Sequence, residues 1–245
     1  MRPALSVVIP AFNEARRLPK TLERVTTFLE AKGASFEIVV VDDGSTDETA
    51  TIVAPNERTR LLRNDGNKGK GYSVRRGMLE ARGERRLMTD ADLSTPIEEL
   101  PRLEARLDQG YDVAIGSRAL PGASIEIRQS RFRESTGRVF NRLVQGLVLS
   151  GLEDTQCGFK LFTAKAAEGA FALARLDGFC FDVEALFIAR REGSRIAEVP
   201  VIWRNDTAST VSTLRGGLAF FDILRIRWNA ALGRYSRRGA PQGVV

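Results

Sequence analysis

Carboxylates stand at the ends of two short apolar runs, and their spacing suits a metal. Arg85-Arg86-Leu87-Met88-Thr89 leads into Asp90-Ala91-Asp92, and Phe36-Glu37-Ile38-Val39-Val40-Val41 leads into Asp42-Asp43. Alternate residues of an extended chain point the same way, so Asp90 and Asp92 can converge on one divalent cation. In open α/β sheets, ligands bind beyond the carboxyl ends of the strands. Acid at two such ends therefore points to a metal–diphosphate site. The chain contains no histidine. Ser-His-Asp and Cys-His catalysis, histidine general bases and His-ligated zinc are thereby excluded. Carboxylates, lysine, arginine, hydroxyls or a hard cation must carry any chemistry.

The elements that must position these acids alternate. Strand patterns fall at 5–9, 36–41, 60–62, 85–89 and 112–117, with helical patterns near 17–32, 46–54, 69–81 and 97–109 between them. Such alternation predicts βαβ units and a mainly parallel sheet flanked by helices. Val39-Val40-Val41 shows no alternation, as expected of a strand covered on both faces. Ser45-Thr46-Asp47-Glu48 and Thr95-Pro96-Ile97-Glu98 read as capping boxes that start helices. Later, 131–151, 182–192 and 215–235 read as helices and 196–201 as a strand. At 245 residues and 43% hydrophobic, the chain is expected to be a single α/β domain over 1–212. An amphipathic C-terminal helix over 213–236 and a flexible tail over 237–245 follow.

Charge is regional. Between Trp203 and Val245 seven arginines face two acids, and between Glu126 and Gln145 five arginines face two glutamates. Regional positive charge calls for an anionic partner. Helically spaced apolar residues accompany it, at Val139, Phe140, Leu143, Val144, Leu147 and Val148, and again at Leu214, Leu218, Phe221, Leu224 and Trp228. Basic flanks beside such stripes suit peripheral contact with an anionic membrane surface. No run is long enough to span a bilayer, and no signal-peptide organisation opens the chain. Two cysteines, Cys157 and Cys180, make no disulfide framework, which favours a reducing, cytoplasmic setting on the cytoplasmic face of a membrane. No aromatic–basic interleaving of an RNA-binding type is present, so nucleic acid is not an expected partner.

Read in order, the motifs form a pattern. Val7-Val8-Ile9-Pro10-Ala11-Phe12-Asn13-Glu14 leaves a strand for a loop. Then come Asp42-Asp43-Gly44-Ser45-Thr46-Asp47, Asn67-Lys68-Gly69-Lys70-Gly71 and Asp90-Ala91-Asp92. Gly116-Ser117-Arg118, Asp154 to Phe162, Phe181 to Glu184 and Val199 to Trp203 complete the series. The chain resembles family 2 glycosyltransferases of the GT-A (Rossmann-like) type over about Leu5 to Trp228. Within them it is most similar to dolichyl-phosphate β-glucosyltransferases, with dolichyl-phosphate mannose synthases as cousins. The resemblance implies that Pro10, Ala11, Phe12, Glu14 and Asp42 line the nucleoside pocket of a nucleotide-sugar donor, with Lys70 and Ala91 nearby. It implies that Asp90 and Asp92 hold Mg²⁺ or Mn²⁺ on the donor diphosphate, and that Arg204 lies near the phosphates. Arg118, Arg131 and Ser135 are implied to receive a polyprenyl phosphate acceptor, with Asp92, Arg118 and Arg131 catalytic. Two departures stand out. Ser94 occupies a position that in mannose synthases often carries a further metal ligand, and Thr210 follows Ser209 where the glucosyltransferases commonly have lysine.

Elementary chemistry agrees with such an acceptor. An alcohol must lose a proton as it attacks, which calls for a positioned base. A phosphomonoester, with its second pKa near about 6, is already anionic at neutral pH. It needs positive charge more than a base, and arginine forks suit phosphate. The expected reaction is inverting transfer of a hexose, with glucose from UDP-glucose favoured, to a polyprenyl phosphate of the dolichyl type. The alternative is a soluble family member using GDP-mannose or another nucleotide sugar with a sugar or small-alcohol acceptor. Asp154, Asp182 or Glu184 would then be open as the base.

Overall fold

The computed structural model describes residues 2–54, 56–127, 131–204 and 213–236, without the side chains of 127, 131–136, 138 and 213–219. Seven strands form the main sheet in the order β3-β2-β1-β4-β7-β5-β8. β1 (Leu5–Ala11), β2 (Phe36–Asp42), β3 (Thr59–Arg63) and β4 (Arg85–Thr89) run parallel, as helical crossovers require. β5 (Val113–Ser117) and β8 (Ile196–Pro200) are parallel to each other. Between β4 and β5 lies β7 (Phe159–Thr163), antiparallel to both. The sequence pattern predicts no strand there, because Lys160 interrupts the three apolar residues of Phe159–Thr163, which follow a turn-like segment.

Both faces of the sheet are covered. Val7, Ile9, Ile38 and Val40 pack with Leu18, Val25 and Leu29 of α1 (Leu18–Lys32) and with Leu100 and Leu103 of α4 (Leu100–Asp108). Their neighbours Val8, Val39 and Val41 point the other way. They meet α3 (Lys70–Glu80), α6 (Ala164–Leu173) and α7 (Phe181–Arg191) through Val74, Met78, Ala170 and Phe181. α3 lies so close that a Cβ on Gly77 would sit 2.4 Å from a Val8 methyl. α6 is a second element absent from the sequence reading, since its alanine-rich run carries little periodic signal.

The C-terminal half extends the second face. α5 (Arg131–Leu147) and α8 (Thr213–Ala231) add Phe140, Val144, Ile223 and Ile226 to the core, and the Phe140 and Phe220 rings meet edge-on at 5.6 Å. Tyr235 ties down the segment after α8. Its hydroxyl donates to Glu184 at 2.6 Å, and the same carboxylate accepts from the backbone N–H groups of Arg175 and Leu176. A separate parallel ribbon pairs β6 (Ser124–Ile127) with β9 (Ile202–Arg204). The tail beyond Ser236 lies outside the described residues.

Neither capping box forms. α2 is a single turn (Thr49–Ile52) with no side-chain cap, and the Ser45 hydroxyl accepts instead from the Asn13 N–H at 2.9 Å. Thr95 meets the Cys157 sulfur, and a 3-10 turn over Ile97–Glu99 follows an extended Pro96. Glu98 pairs with Arg24 of α1 rather than with its own helix start. Long-range partners outcompete the local caps in both cases.

Candidate active site

The acids at the end of β4 are presented by a turn. β4 stops at Thr89, so Asp90 and Asp92 do not share a pleat face, contrary to the extended-chain expectation. The Leu93 N–H instead donates to the Asp90 carbonyl at 3.1 Å, and Leu93 takes a φ of 46°. A positive φ on a buried leucine is strain of the kind found where a loop is held for function. The Asp92 carboxylate accepts from the Ser94 N–H at 2.9 Å, and Asp90 pairs with Lys70 at 2.7 Å. Gly158 of the neighbouring turn is pressed against Asp90, where a Cβ would lie 2.0 Å from Oδ2.

Electrostatics shows what this arrangement suits. Burial and then the charge of Asp90 raise the pKa of Asp92. Burial alone would lower the pKa of Lys70, yet Asp90 and Asp182 more than offset it and raise it. Two repelling carboxylates beside a single ammonium form an all-oxygen donor set of the kind a hard divalent cation takes. Among the described residues, no group of three or more metal-ligating side chains occurs. Asp90 and Asp92 would supply the protein's share, consistent with serine at position 94.

The loops after β1 and β2 are locked together. Asn13, with φ 56°, accepts from the Thr46 N–H, and Glu14 donates its N–H to Thr49 at 2.7 Å. Pro10 and Ala11 are buried on β1, and Phe12 is exposed beyond it. The Ala11 carbonyl accepts from the Asp43 N–H, and the Ala91 carbonyl accepts from the Thr21 hydroxyl at 2.6 Å. Glu14 is held by Arg17 at 2.6 Å, while burial raises its pKa, and the charges of Asp92 and Asp90 reach it. Asp42 is fully buried, accepts from the Ser45 N–H and faces Arg63 at 3.3 Å. Asp43 has a different task. It accepts from Asn64 and from the N–H groups of Lys68 and Gly69, and so shapes the loop that delivers Lys70.

The acceptor-side residues are more dispersed. Arg118, at the end of β5, grips Asp154 with Nε at 2.7 Å and Nη2 at 2.8 Å and lies over the Trp203 ring. Burial opposes its charge, but Asp154 raises its pKa, and Arg118 in turn holds the Asp154 carboxyl below the usual range against burial. Arg204 pairs with Glu126 at 2.6 Å, and its N–H donates to the Ser94 carbonyl, which places β9 beside the acidic turn. Arg131 and Ser135 stand in the first turns of α5, where their side chains lie outside the described set, and Thr210 is outside it altogether. The structure thus gathers Asp90, Asp92, Lys70 and Glu14, and holds Arg118 in an ion pair with Asp154, where the charge of Asp90 still reaches it.

Lys160 and Asp182 have structural roles that the sequence reading missed. Lys160 is 2% exposed, pairs with Asp182 at 2.9 Å and donates to the Cys157 carbonyl. It therefore braces the turn that carries Gly158. A lone lysine inside Phe159-Lys160-Leu161-Phe162 was the available signal. Burial raises the Asp182 pKa, with Lys160 and Lys70 opposing it. Burial pushes the Cys157 thiol up to about 11, so it stays protonated and serves as packing.

The site is thus a strained acidic turn beyond the central strand of an open α/β sheet. In fold, the chain is similar to glucosyl-3-phosphoglycerate synthase from Mycobacterium tuberculosis, solved with Mn²⁺, UDP-glucose and phosphoglyceric acid. The TM-score is 0.69 at 18% identity, covering 99% of this chain and 83% of that one. Mannosyl-3-phosphoglycerate synthase from Rubrobacter xylanophilus superposes with a TM-score of 0.65 at 18% identity, over 99% of this chain and 79% of that one. The chain belongs to glycosyl transferase family 2, whose profile matches residues 6–170. It is 37% identical over 94% of its length to dolichyl-phosphate β-glucosyltransferase of Dictyostelium discoideum, covering 75% of that protein. The human dolichyl-phosphate β-glucosyltransferase is 36% identical over 81% of this chain and 67% of its own length. Glycosyltransferase AglD of Haloferax volcanii is 36% identical over 96% of this chain, which spans only 39% of that protein.

Proposed function

We propose that the chain transfers glucose from UDP-glucose to a polyprenyl phosphate of the dolichyl type, with inversion at the anomeric carbon. Asp90 and Asp92 would hold Mg²⁺ or Mn²⁺, which when bound stabilises the departing nucleoside diphosphate. Lys70, ion-paired with Asp90, adds positive charge at the same place. Pro10, Ala11, Phe12, Glu14 and Asp42 would line the nucleoside, a reading supported by the locked loops after β1 and β2 that carry them. Arg131 and Ser135 on α5 receive the acceptor phosphate, and Arg118 does so while shared with Asp154. Relatives at 36–37% identity over most of the chain are named for this reaction.

One observation carries the choice of acceptor. Every carboxylate considered as a base for an alcohol is already engaged. Asp154 is gripped by Arg118, Asp182 by Lys160, and Glu184 by Tyr235 and two backbone N–H groups. An acceptor that arrives ionised needs none of them. Direct attack by its phosphate oxygen on the anomeric carbon, in one displacement, inverts that centre.

The same reading puts the chain on a membrane surface. Phe221, Leu224 and Trp228 are 71%, 58% and 64% exposed along α8, and Val139, Leu143 and Leu147 are exposed along α5. Aromatic and apolar residues beside arginine suit an interfacial helix. Among the described residues no helix is long and apolar enough to cross a membrane, so this contact is peripheral and weakened by salt. The two cysteines are free and buried, which supports placement on the cytoplasmic, reducing side.

The deciding assay supplies UDP-[¹⁴C]glucose, Mg²⁺ or Mn²⁺ and polyprenyl phosphate. Radioactive product in the organic phase, with β configuration by NMR, is expected. Product found only in the aqueous phase with added sugars would sink the proposal in favour of a small-alcohol acceptor.

A further inference from the structure

A cavity of about 460 Å³ opens between the C-terminal part of α3, the end of α6 and α8. It shares no lining residue with the acidic turn. Arg75, Arg175, Arg225 and Arg234 line it, together with Leu79 and Phe171, and none of its lining residues is acidic. Arg75 pairs with Asp177 at 2.8 Å, and Arg234 donates to the Asn229 side chain at 2.9 Å. Among the described residues, Arg175 and Arg225 have no carboxylate within ion-pair distance. Asp222 lies near enough to Arg225 for its carboxyl to feel that charge, and Glu184 below is occupied by Tyr235. With Arg75 already paired, the guanidinium groups of Arg175, Arg225 and Arg234 still bring positive charge to one hollow, and an anion there would offset their mutual repulsion. Their planar forks match phosphate oxygens.

A second observation names the bearer of that phosphate. Arg225 also lines an adjoining hollow with Leu224, Arg227, Trp228 and Ala231, along the outward face of α8. Arg225 thus stands between the cavity and the exposed apolar stripe of Leu224 and Trp228. A soluble phosphate ester would use the arginines and leave the stripe bare. A phospholipid uses both, with its phosphate among the arginines and its acyl chains against the stripe. We infer that the cavity lined by Arg75, Arg175, Arg225 and Arg234 is a headgroup site for an anionic phospholipid of the supporting bilayer, distinct from the acceptor site. This inference rests on the membrane contact proposed above.

The test uses the full chain and three vesicle compositions: phosphatidylcholine alone, and phosphatidylcholine doped with phosphatidic acid or with phosphatidylglycerol. Wild-type protein should co-sediment most with the phosphatidic acid vesicles, whose monoester phosphate presents the most oxygen to the arginine forks. The pair Arg175→Gln with Arg225→Gln should lose about tenfold or more of that binding. The charge-matched pair Arg142→Gln with Arg191→Gln, outside both hollows, should keep the preference for phosphatidic acid while weakening both anionic compositions equally. Equal losses from both pairs would mean diffuse charge attraction only and would overturn the headgroup site. Inorganic phosphate and glycerol 3-phosphate serve as soluble probes. If either raises the melting temperature through Arg175 while vesicle binding ignores the substitutions, the cavity serves a soluble anion and the inference fails. If wild-type protein and Trp228→Ala bind no vesicle of any composition, the membrane reading itself fails. Retained binding with lost phosphatidic acid preference in wild type condemns only the cavity.

Discussion

The two ends of the reaction are built in different ways. On the donor side, position is fixed by backbone. Asp43 gathers Asn64 and two backbone N–H groups, Asn13 and Leu93 hold positive φ, and Gly158 admits no Cβ beside Asp90. On the side proposed to meet the acceptor and the membrane, Arg142, Arg225 and Arg227 stand exposed on α5 and α8 beside exposed apolar residues. The contrast fits what each side is proposed to bind. A diphosphate with its cation is small and rigid, so misplacement of a ligand by about 1 Å is costly. A lipid phosphate entering from a bilayer arrives with a mobile tail, and adaptable cations tolerate that.

If rigidity on the donor side carries catalysis, breaking it there should cost most. Asp92→Asn should cut turnover by about three orders of magnitude, the scale of losing several kcal/mol of charge stabilisation. The cation-dependent melting shift given by UDP should vanish with it, and wild-type turnover would remove the metal assignment. Gly158→Ala adds one methyl against the Asp90 carboxylate. Turnover should fall about 100-fold with an unchanged circular dichroism spectrum.

Next comes the brace beneath both. Lys160→Met strands Asp182 in the core and should cost about 3–5 kcal/mol, lowering the melting temperature by roughly 6–20 °C. Lys160→Met with Asp182→Leu should recover most of that loss. If the double variant is no more stable than the single, the buried pair is not the cause.

Acid sharpens the comparison on the acceptor side. Arg118 holds the Asp154 pKa below its unfolded value, so this pair stabilises the fold at neutral pH. That contribution fades as pH falls below the ordinary aspartate range near about 3.9 and through the lowered native value. Asp154→Asn should flatten this acid limb of a stability–pH curve, and an unaltered limb would show that the pair contributes little. The smallest effect belongs to the exposed Arg204–Glu126 pair. Arg204→Ala should leave the melting temperature within about 2 °C, so any loss of activity in that variant reports phosphate contact.

Residue types and their order determined the strand–helix alternation, the absence of histidine chemistry and the acids at two strand ends. Burial on both faces writes itself into apolar runs such as Val39-Val40-Val41, and a short turn keeps Asp90 and Asp92 together whatever lies around them. Only the tertiary structure decided how those acids are used. It put an antiparallel β7 into the sheet, turned Ser45 and Thr95 from helix caps into cross-loop partners, and made Asp43 a loop brace. It also bound Arg118 to Asp154 and set four arginines around one cavity. Each of these outcomes depends on contacts between residues distant in the chain, which local spacing does not encode.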